Sequence, residues 1–210
     1  MPDHSTLSKT RDSYGEEVFE SVFGKVVEIC KKHGLVKGET IITDSTLIEA
    51  DASIDSMVSR SPDLVTAENT SRGKEGITAP LLSRKLTNKT HISSTDPEST
   101  LAKKAGTPQK LKYKVHTSIN AENRIILDNK VTTGSFHETN IYVERLNYIE
   151  EKYQLCIREA IADRAYGSAD NIFALRKKNI SAYIQLFSTR SGQVTKVKEY
   201  GFIYEAEHDR

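Results

Sequence analysis

Two aspartates, each directly after a short apolar run, constrain the fold of this 210-residue chain more than any other feature. Asp44 follows Ile41-Ile42-Thr43, and Asp163 follows Ala160-Ile161-Ala162. Because the two lie far apart in sequence, their carboxylates meet only if both runs are neighbouring strands of one sheet. Two carboxylates brought together repel each other, and water, a shared proton or a divalent cation must relieve that repulsion. Oxygen ligands of this kind favour Mg²⁺ or Mn²⁺, ions that suit phosphate chemistry.

The composition is typical of a globular protein with a core, since 37% of the residues are hydrophobic and 28% are charged. No stretch is long and apolar enough for a membrane span, and the start Met1-Pro2-Asp3-His4 is not that of a secretory signal. Cys30 and Cys156 have no metal-ligand spacing, so we expect two small buried hydrophobic residues in a reducing compartment. These observations predict a cytoplasmic protein without a membrane partner.

Charge is unevenly distributed along the chain, although the net charge is only +1. Residues 1–59 carry six Lys and Arg against eleven Asp and Glu, whereas residues 60–114 carry eleven against five. The basic middle segment includes Lys103, Lys104, Lys110, Lys112 and Lys114. It indicates either a surface for a polyanion or a solvated loop, and charge alone favours the loop.

Hydrophobic periodicity predicts alternating strands and helices over most of the chain. A capping box at Ser13-x-x-Glu16 and the stop signal Gly34 bound an amphipathic helix of roughly residues 14–33. Residues 54–109 have no clear period and are predicted to form an insertion or long loop, with a helix near residues 80–86. Further helices are predicted at 141–153 and after the cap residue Ser168, and strands at 39–50, 111–119, 124–132, 156–162 and 182–187, with more β-structure at 194–207.

This order of elements predicts a mixed α/β fold, in which helices pack against one sheet. An antiparallel hairpin is followed by βαβ units, and the long insertion comes after the first strand. Asp44 and Asp163 then both lie at strand ends, which is the natural place for a site in such a sheet.

The order of elements, with aspartates on the first and fourth strands, resembles the ribonuclease H-like catalytic domain of bacterial insertion-sequence DDE transposases. The segment Asp44-Ser45-Thr46-Leu47-Ile48-Glu49-Ala50 is similar to the first-aspartate strand of that family. The segment Ala162-Asp163-Arg164-Ala165-Tyr166-Gly167-Ser168 is similar to its second-aspartate motif. Five other segments match in the same order, at residues 2–9, 34–38, 95–98, 113–116 and 131–138.

The resemblance implies a role in DNA transposition. Residues 1–38 would be a helical remnant of the N-terminal domain, and residues 39–210 an incomplete catalytic domain in which a β-rich insertion starts at about 190–210. Asp44 and Asp163 would be the first two catalytic acids and the ligands of Mg²⁺ or Mn²⁺. The implied partner is double-stranded DNA at transposon ends, with assembly into a homo-oligomer and a nucleoid-associated location.

Three basic residues near these motifs are expected to contact DNA phosphate. They are Lys112, Lys114 and Arg164, and contacts of this kind weaken as salt is added. Arg164 fits pairing with a neighbouring acid equally well.

The third acid of the family, a glutamate in the pattern Tyr-x2-Arg-x3-Glu-x6-Lys, is not found. Tyr142-x2-Arg145 leads to Ile149 where the glutamate should stand, and it precedes Asp163. The late acids Glu199, Glu205, Glu207 and Asp209 fall in predicted β-structure rather than on a helix. We therefore expect an inactive fragment, truncated before the third acid, or alternatively a non-catalytic remnant that binds DNA or a partner.

Two other enzyme classes fit the sequence less well. A phosphatase of the haloacid dehalogenase type needs a second acid two residues after the first, where Thr46 stands. A ribonuclease H-like nuclease is disfavoured by the local transposase motifs. Glu49 and Asp51 are expected to be surface or pairing residues, and His116 a packed histidine within its strand.

Overall fold

The computed structural model describes residues 5–60, 86–104 and 106–185. The β-structure predicted at 194–207 lies outside these ranges, as does almost all of the helix predicted near 80–86. Within them the helices are α1 (Thr6–Lys32), α2 (Tyr142–Tyr153) and α3 (Ala169–Lys177). The strands are β1 (Thr40–Glu49), β2 (Met57–Ser59), β3 (His91–Ser93), β4 (Thr100–Ala102), β5 (Lys110–Asn120), β6 (Ile126–Thr133), β7 (Glu159–Ala162) and β8 (Ser181–Ile184). No helix in this part of the chain is long and apolar enough to cross a membrane.

The N-terminal helix α1 is longer than its sequence pattern predicts. It begins at Thr6 with Ser5 as its first cap residue, and the start predicted at about residue 14 coincides with a break inside it. Gly15, with φ 73° and ψ 169°, interrupts the helix, and helical backbone continues on both sides of it. The predicted stop is confirmed, because Gly34 has a φ of 72° and its N–H donates to the carbonyl of Lys31 at 2.9 Å.

Among the described residues, six strands form one mixed sheet in the order β4-β5-β1-β7-β8, with β6 paired to β5. β1 runs parallel to β7, and β7 runs parallel to β8. β1 and β5 run in opposite directions, since Thr40 accepts a hydrogen bond from the N–H of Ala121 (3.0 Å). At the other end of the pair, Leu111 accepts one from the N–H of Ala50 (3.0 Å). The predicted mixed α/β fold is confirmed, and the strands that lead to the two aspartates are neighbours, as the ribonuclease H-like resemblance requires.

Residue contacts divide the described chain into two units. The first unit contains residues 5–44, 117–129 and 138–185, and the second contains residues 45–60, 86–104, 106–116 and 130–137. The three described helices belong to the first unit, together with β7 and β8.

The core of the first unit forms where the helices cover its strands. α2 contributes Tyr142, Leu146, Ile149 and Tyr153, whose spacing of three and four residues places them on one side of the helix. All four are at most 1% exposed. The same cluster includes Val27 from α1, Leu175 from α3, Ile41 from β1 and Ala160 from β7.

A buried ion pair fixes α2 against β6. The guanidinium of Arg145 donates to both carboxylate oxygens of Asp128, at 2.8 and 2.7 Å, and the two side chains are only 13% and 7% exposed. The hydrogen bond to Asp128 raises the pKa of Arg145, and the guanidinium also lies 4.0 Å from the ring centre of Tyr148. Arg145 is therefore a structural residue, which agrees with its exclusion from the third-acid motif.

The second unit contains three short strands that the sequence does not predict. β2 and β3 pair antiparallel, with Met57 opposite Ser93 and Ser59 opposite His91. β4 pairs antiparallel with the start of β5. Each of these strands has three residues, which is too short for alternating hydrophobicity to stand out. Part of the predicted loop at 54–109 is thus built from hydrogen-bonded strands.

The burial expected from the sequence is found for His116 but not for the two cysteines. His116 is 2% exposed, its Nε2 lies 3.0 Å from the hydroxyl of Thr132, and its ring meets that of Phe136 edge-on, so the packed histidine is confirmed. The prediction of two buried cysteines was wrong, because Cys30 is half-buried and Cys156 is exposed. Cys156 lies in the connection before β7 rather than inside that strand.

We predict that Asp128→Ala lowers the free energy of unfolding by about 3–5 kcal/mol, because it leaves the Arg145 guanidinium buried without its counter-charge. Urea denaturation of the full chain measures this loss. Glu151→Ala, which removes an exposed acid from the helix that carries Arg145, is the matched control. It should change stability by less than about 0.5 kcal/mol. Equal losses in the two variants would contradict a structural role for the ion pair.

Candidate metal centre

The parallel pairing of β1 and β7 places Asp44 beside Asp163. The register matches Ile42 with Ile161 and Thr43 with Ala162, and the aspartates are the next residues on the two chains. Neighbouring strands lie about 4.8 Å apart, so the two carboxylates start from adjacent positions. Both residues are exposed. The two aspartates therefore occupy adjacent backbone positions in the first unit, and their role as a metal site stays a prediction.

The alternation of β1 directs Asp44 away from the core. Ile41 is fully buried and Thr43 is 3% exposed. Because side chains alternate along a strand, Ile42 and Asp44 point to the other face. The hydroxyl of Thr43 lies 2.9 Å from that of Ser118 on β5, which satisfies both buried hydroxyls. The strand beneath Asp44 is consequently held by packing and by a hydrogen bond on its buried side.

Asp163 is oriented by the turn that it begins. Its Oδ1 accepts a hydrogen bond from the N–H of Ala165 at 2.9 Å and caps the short 3₁₀ helix Arg164–Tyr166. A carboxylate offers about four lone-pair positions, so one such bond leaves room for a cation. The cap fixes the direction of the side chain without using its full capacity as a ligand.

The turn after Asp163 is anchored in the core by its aromatic residue. Tyr166 is fully buried, and its ring centre lies 5.0 Å from that of Tyr142. The buried amide of Asn171 donates to the carbonyls of Tyr166 (2.9 Å) and Thr139 (3.1 Å). The Ser168 hydroxyl accepts from the N–H of Asn171 at 3.2 Å, so the predicted cap of α3 is confirmed. The role of Asn171 was not predicted from the sequence, because the carbonyl of Thr139 reaches its side chain only in the folded protein.

Gly167 is required by a close approach of two chain segments. A Cβ at this position would lie 2.1 Å from the carbonyl oxygen of Gln185, just after β8. Only glycine therefore lets the end of the Asp163 turn rest against the chain that follows β8. The Tyr-Gly-Ser sequence of the motif has a separate structural reason at each position: burial, close approach and capping.

The donor set suits a hard divalent cation. Mg²⁺ typically binds through one or two carboxylates and completes its shell with water and phosphate oxygens, and Asp44 and Asp163 supply two such carboxylates. Within the described ranges, no group of three or more His, Cys, Asp or Glu residues is arranged to hold a metal. The late acids considered for the third position, Glu199, Glu205, Glu207 and Asp209, lie outside those ranges.

The three residues expected to contact DNA differ in exposure. Lys112 and Lys114 are 7% and 8% exposed, and the ammonium of Lys114 donates to the carbonyl of Phe136 at 2.6 Å. Arg164 is exposed and directly follows Asp163. Phosphate contacts by these residues stay predictions, and burial makes the two lysines the weaker candidates.

Glu49 behaves as the sequence suggests, as a pairing residue. Its carboxylate lies 2.7 Å from the ammonium of Lys110, and this hydrogen bond lowers the pKa of Glu49. Asp51, the other nearby acid, is exposed.

Comparison with known proteins gives one family match. The model of the transposase DDE domain family matches residues 36–209. No curated protein sequence matches the chain.

Three solved structures of the Mos1 transposase are similar at low identity. A paired-end complex with the left transposon end is 9% identical, with a TM-score of 0.34 over 77% of this chain and 39% of that chain. A Mos1 mariner paired-end complex with Mn is 10% identical, with a TM-score of 0.34 over 77% and 40% of the two chains. A pre-cleavage Mos1 transpososome is 8% identical, with a TM-score of 0.35 over 78% and 41%. The chain thus spans about two fifths of the Mos1 chains.

We predict that Gly167→Ala destabilises the protein by at least about 1–3 kcal/mol, because the new methyl group meets a backbone carbonyl that cannot rotate away. Gly24→Ala is the matched control, since a Cβ there meets nothing closer than the Cε of Lys152 at 3.8 Å. The control should be neutral or stabilising, as alanine favours a helix interior. Thermal unfolding of both variants measures the difference, and a neutral Gly167→Ala would contradict the close approach.

Proposed function

The chain belongs to the transposase DDE domain family, and we propose that it acts on DNA in transposition, with Asp44 and Asp163 as the first two carboxylates of its metal site. The observation that carries the proposal is the register of β1 and β7, which makes these two residues neighbours. Both are exposed, so a cation and a DNA phosphate can reach them from solvent.

The bound ion would supply the reactivity, and the chain would supply its position. When bound, Mg²⁺ or Mn²⁺ activates water or a 3′-hydroxyl for attack on a phosphodiester and stabilises the leaving 3′-oxygen. Asp44 is held by the sheet, and Asp163 by the N–H of Ala165. Such fixation matters because a displacement of about 1 Å at a reacting centre can cost ~10²-fold in rate.

A third carboxylate would complete the catalytic set, and we propose that the described residues do not supply it. Two carboxylates can hold one ion, whereas aligning two ions for in-line displacement needs a further ligand. We therefore propose that the chain on its own has little or no strand-transfer activity. A non-catalytic role in binding DNA or a partner is the alternative, and metal binding without turnover would favour it.

The remaining assignments follow from the same proposal. The partner is double-stranded DNA at transposon ends, and Arg164, exposed beside Asp163, is a candidate for phosphate contact. Assembly into a homo-oligomer and a location at the nucleoid belong to this proposal, as does the division into residues 1–38 and 39–210.

We predict that Asp44→Asn and Asp163→Asn each weaken Mn²⁺ binding by about tenfold or more, since removing even a supporting group of a metal site commonly costs about 10- to 100-fold. Isothermal titration of the full chain with Mn²⁺ measures the affinity. Asparagine at position 163 can still accept the N–H of Ala165, so the fold should be retained, and circular dichroism checks this.

Asp51→Asn is the control for metal binding, because it removes an exposed acid outside the pair. Its Mn²⁺ affinity should equal that of the unmodified chain. Equal affinity in all four proteins would contradict the proposed site.

We predict no detectable strand transfer when the purified chain is incubated with a duplex that ends in a free 3′-hydroxyl, a target plasmid and Mn²⁺. The reason is that the described residues do not offer a third carboxylate beside Asp44 and Asp163. Products that disappear with Asp44→Asn would refute inactivity while supporting the metal site, so the two parts of the proposal can fail separately.

A further inference from the structure

The second unit separates its charges along its strands. Asp55 precedes β2 and Asp96 follows β3, at the end of this antiparallel strand pair where Met57 pairs with Ser93. Arg60 follows β2 and Lys89 precedes β3, at the opposite end. The β2–β3 strand pair therefore has an acidic end and a basic end.

β4 repeats this separation. Glu98 lies before the strand, and Lys103 and Lys104 lie directly after it. Lys110, opposite Ala102 in the register, is balanced by Glu49 at 2.7 Å. The charges of Lys110 and Glu49 cancel, so the positive charge at this end of β4 comes from Lys103 and Lys104.

Hydrogen bonds tie the two basic ends together. The side chain of Asn88 donates to the carbonyl of Leu101 (2.9 Å) and accepts from its N–H (2.8 Å), so the turn that contains Lys89 is joined to β4. That turn is closed by the N–H of Thr90, which donates to the carbonyl of Thr87 at 3.2 Å. Lys89 is consequently held beside the strand that leads to Lys103.

The other basic residues are also on fixed backbone. The N–H of Arg60 donates to the carbonyl of Thr90 (2.9 Å), which places it next to Lys89. The carbonyl of Lys104 accepts from both the N–H (3.0 Å) and the hydroxyl (2.9 Å) of Thr107. Because the backbone is ordered in advance, binding a ligand here would cost less conformational entropy than binding it with a mobile loop.

We propose that Arg60, Lys89, Lys103 and Lys104, called the basic edge below, bind the phosphate backbone of duplex DNA. All four are exposed, and within the described ranges none forms an ion pair with a carboxylate. DNA phosphates form a polyanion that attracts several cations carried on ordered backbone, and contacts to the phosphate backbone give affinity without base specificity. This inference rests on the proposed role in DNA transposition and adds a contact surface that excludes the buried Lys112 and Lys114.

The test measures binding of the full chain to a short fluorescent duplex of arbitrary sequence over a series of salt concentrations. The variant Lys89→Gln/Lys103→Gln/Lys104→Gln should reduce the slope of log affinity against log salt by about 0.9 for each phosphate that is no longer neutralised, or by about 2–3 in all. The matched control is Lys9→Gln/Lys25→Gln/Lys32→Gln, which removes three exposed lysines from α1. It removes the same charge and should keep the slope of the unmodified chain to within about 1.

The outcomes distinguish this inference from the function on which it rests. Equal slopes for the two triple variants, with DNA binding retained, would overturn the basic edge and leave the proposed function standing. If the unmodified chain bound no duplex, both would fail. Arg60→Gln provides a second variant, expected to lower the slope by about 1, so the result does not depend on correct folding of the triple variant alone.

Discussion

The parallel register between β1 and β7 is the constraint on which the candidate metal centre depends. It places Asp44 next to Asp163, although more than a hundred residues separate them in the chain. A slip of one residue in either strand would turn that strand's aspartate toward the core face and destroy the pair. Both residues are exposed, and water weakens the repulsion that neighbouring carboxylates exert on each other. A divalent cation bound between the two carboxylates would attract both and remove their mutual repulsion.

The surrounding structure explains how this register is kept. On the buried side, the Thr43–Ser118 hydrogen bond joins β1 to β5, and Ile41 is fully buried in the core, so a shift of β1 would cost both interactions. Below Asp163, the fully buried Tyr166 and the close approach at Gly167 fix the path of the turn. These residues have a structural role, which is to position the two strands and the turn that carry Asp44 and Asp163.

The sequence predicts the paired strands better than it predicts their surroundings. Apolar runs that end in Asp44 and Asp163 give a strong signal because every residue of these runs is buried or half-buried in the sheet. β2, β3 and β4 leave no such signal, since three residues do not establish a period. Lys112 and Lys114 are charged, so the sequence alone predicts that they lie on the surface. Their burial depends on tertiary partners such as the Phe136 carbonyl, which local pattern cannot supply.

The most direct test of a shared metal site is to add Fe²⁺ with hydrogen peroxide and ascorbate, and to map where the polypeptide is cut by the hydroxyl radicals that form when bound Fe²⁺ reduces the peroxide. Cleavage of the full chain next to residue 44 and next to residue 163 in the same sample, suppressed by excess Mg²⁺, is the predicted result. Cuts next to only one aspartate, or only at other acids, would contradict the claim that the two carboxylates bind one cation.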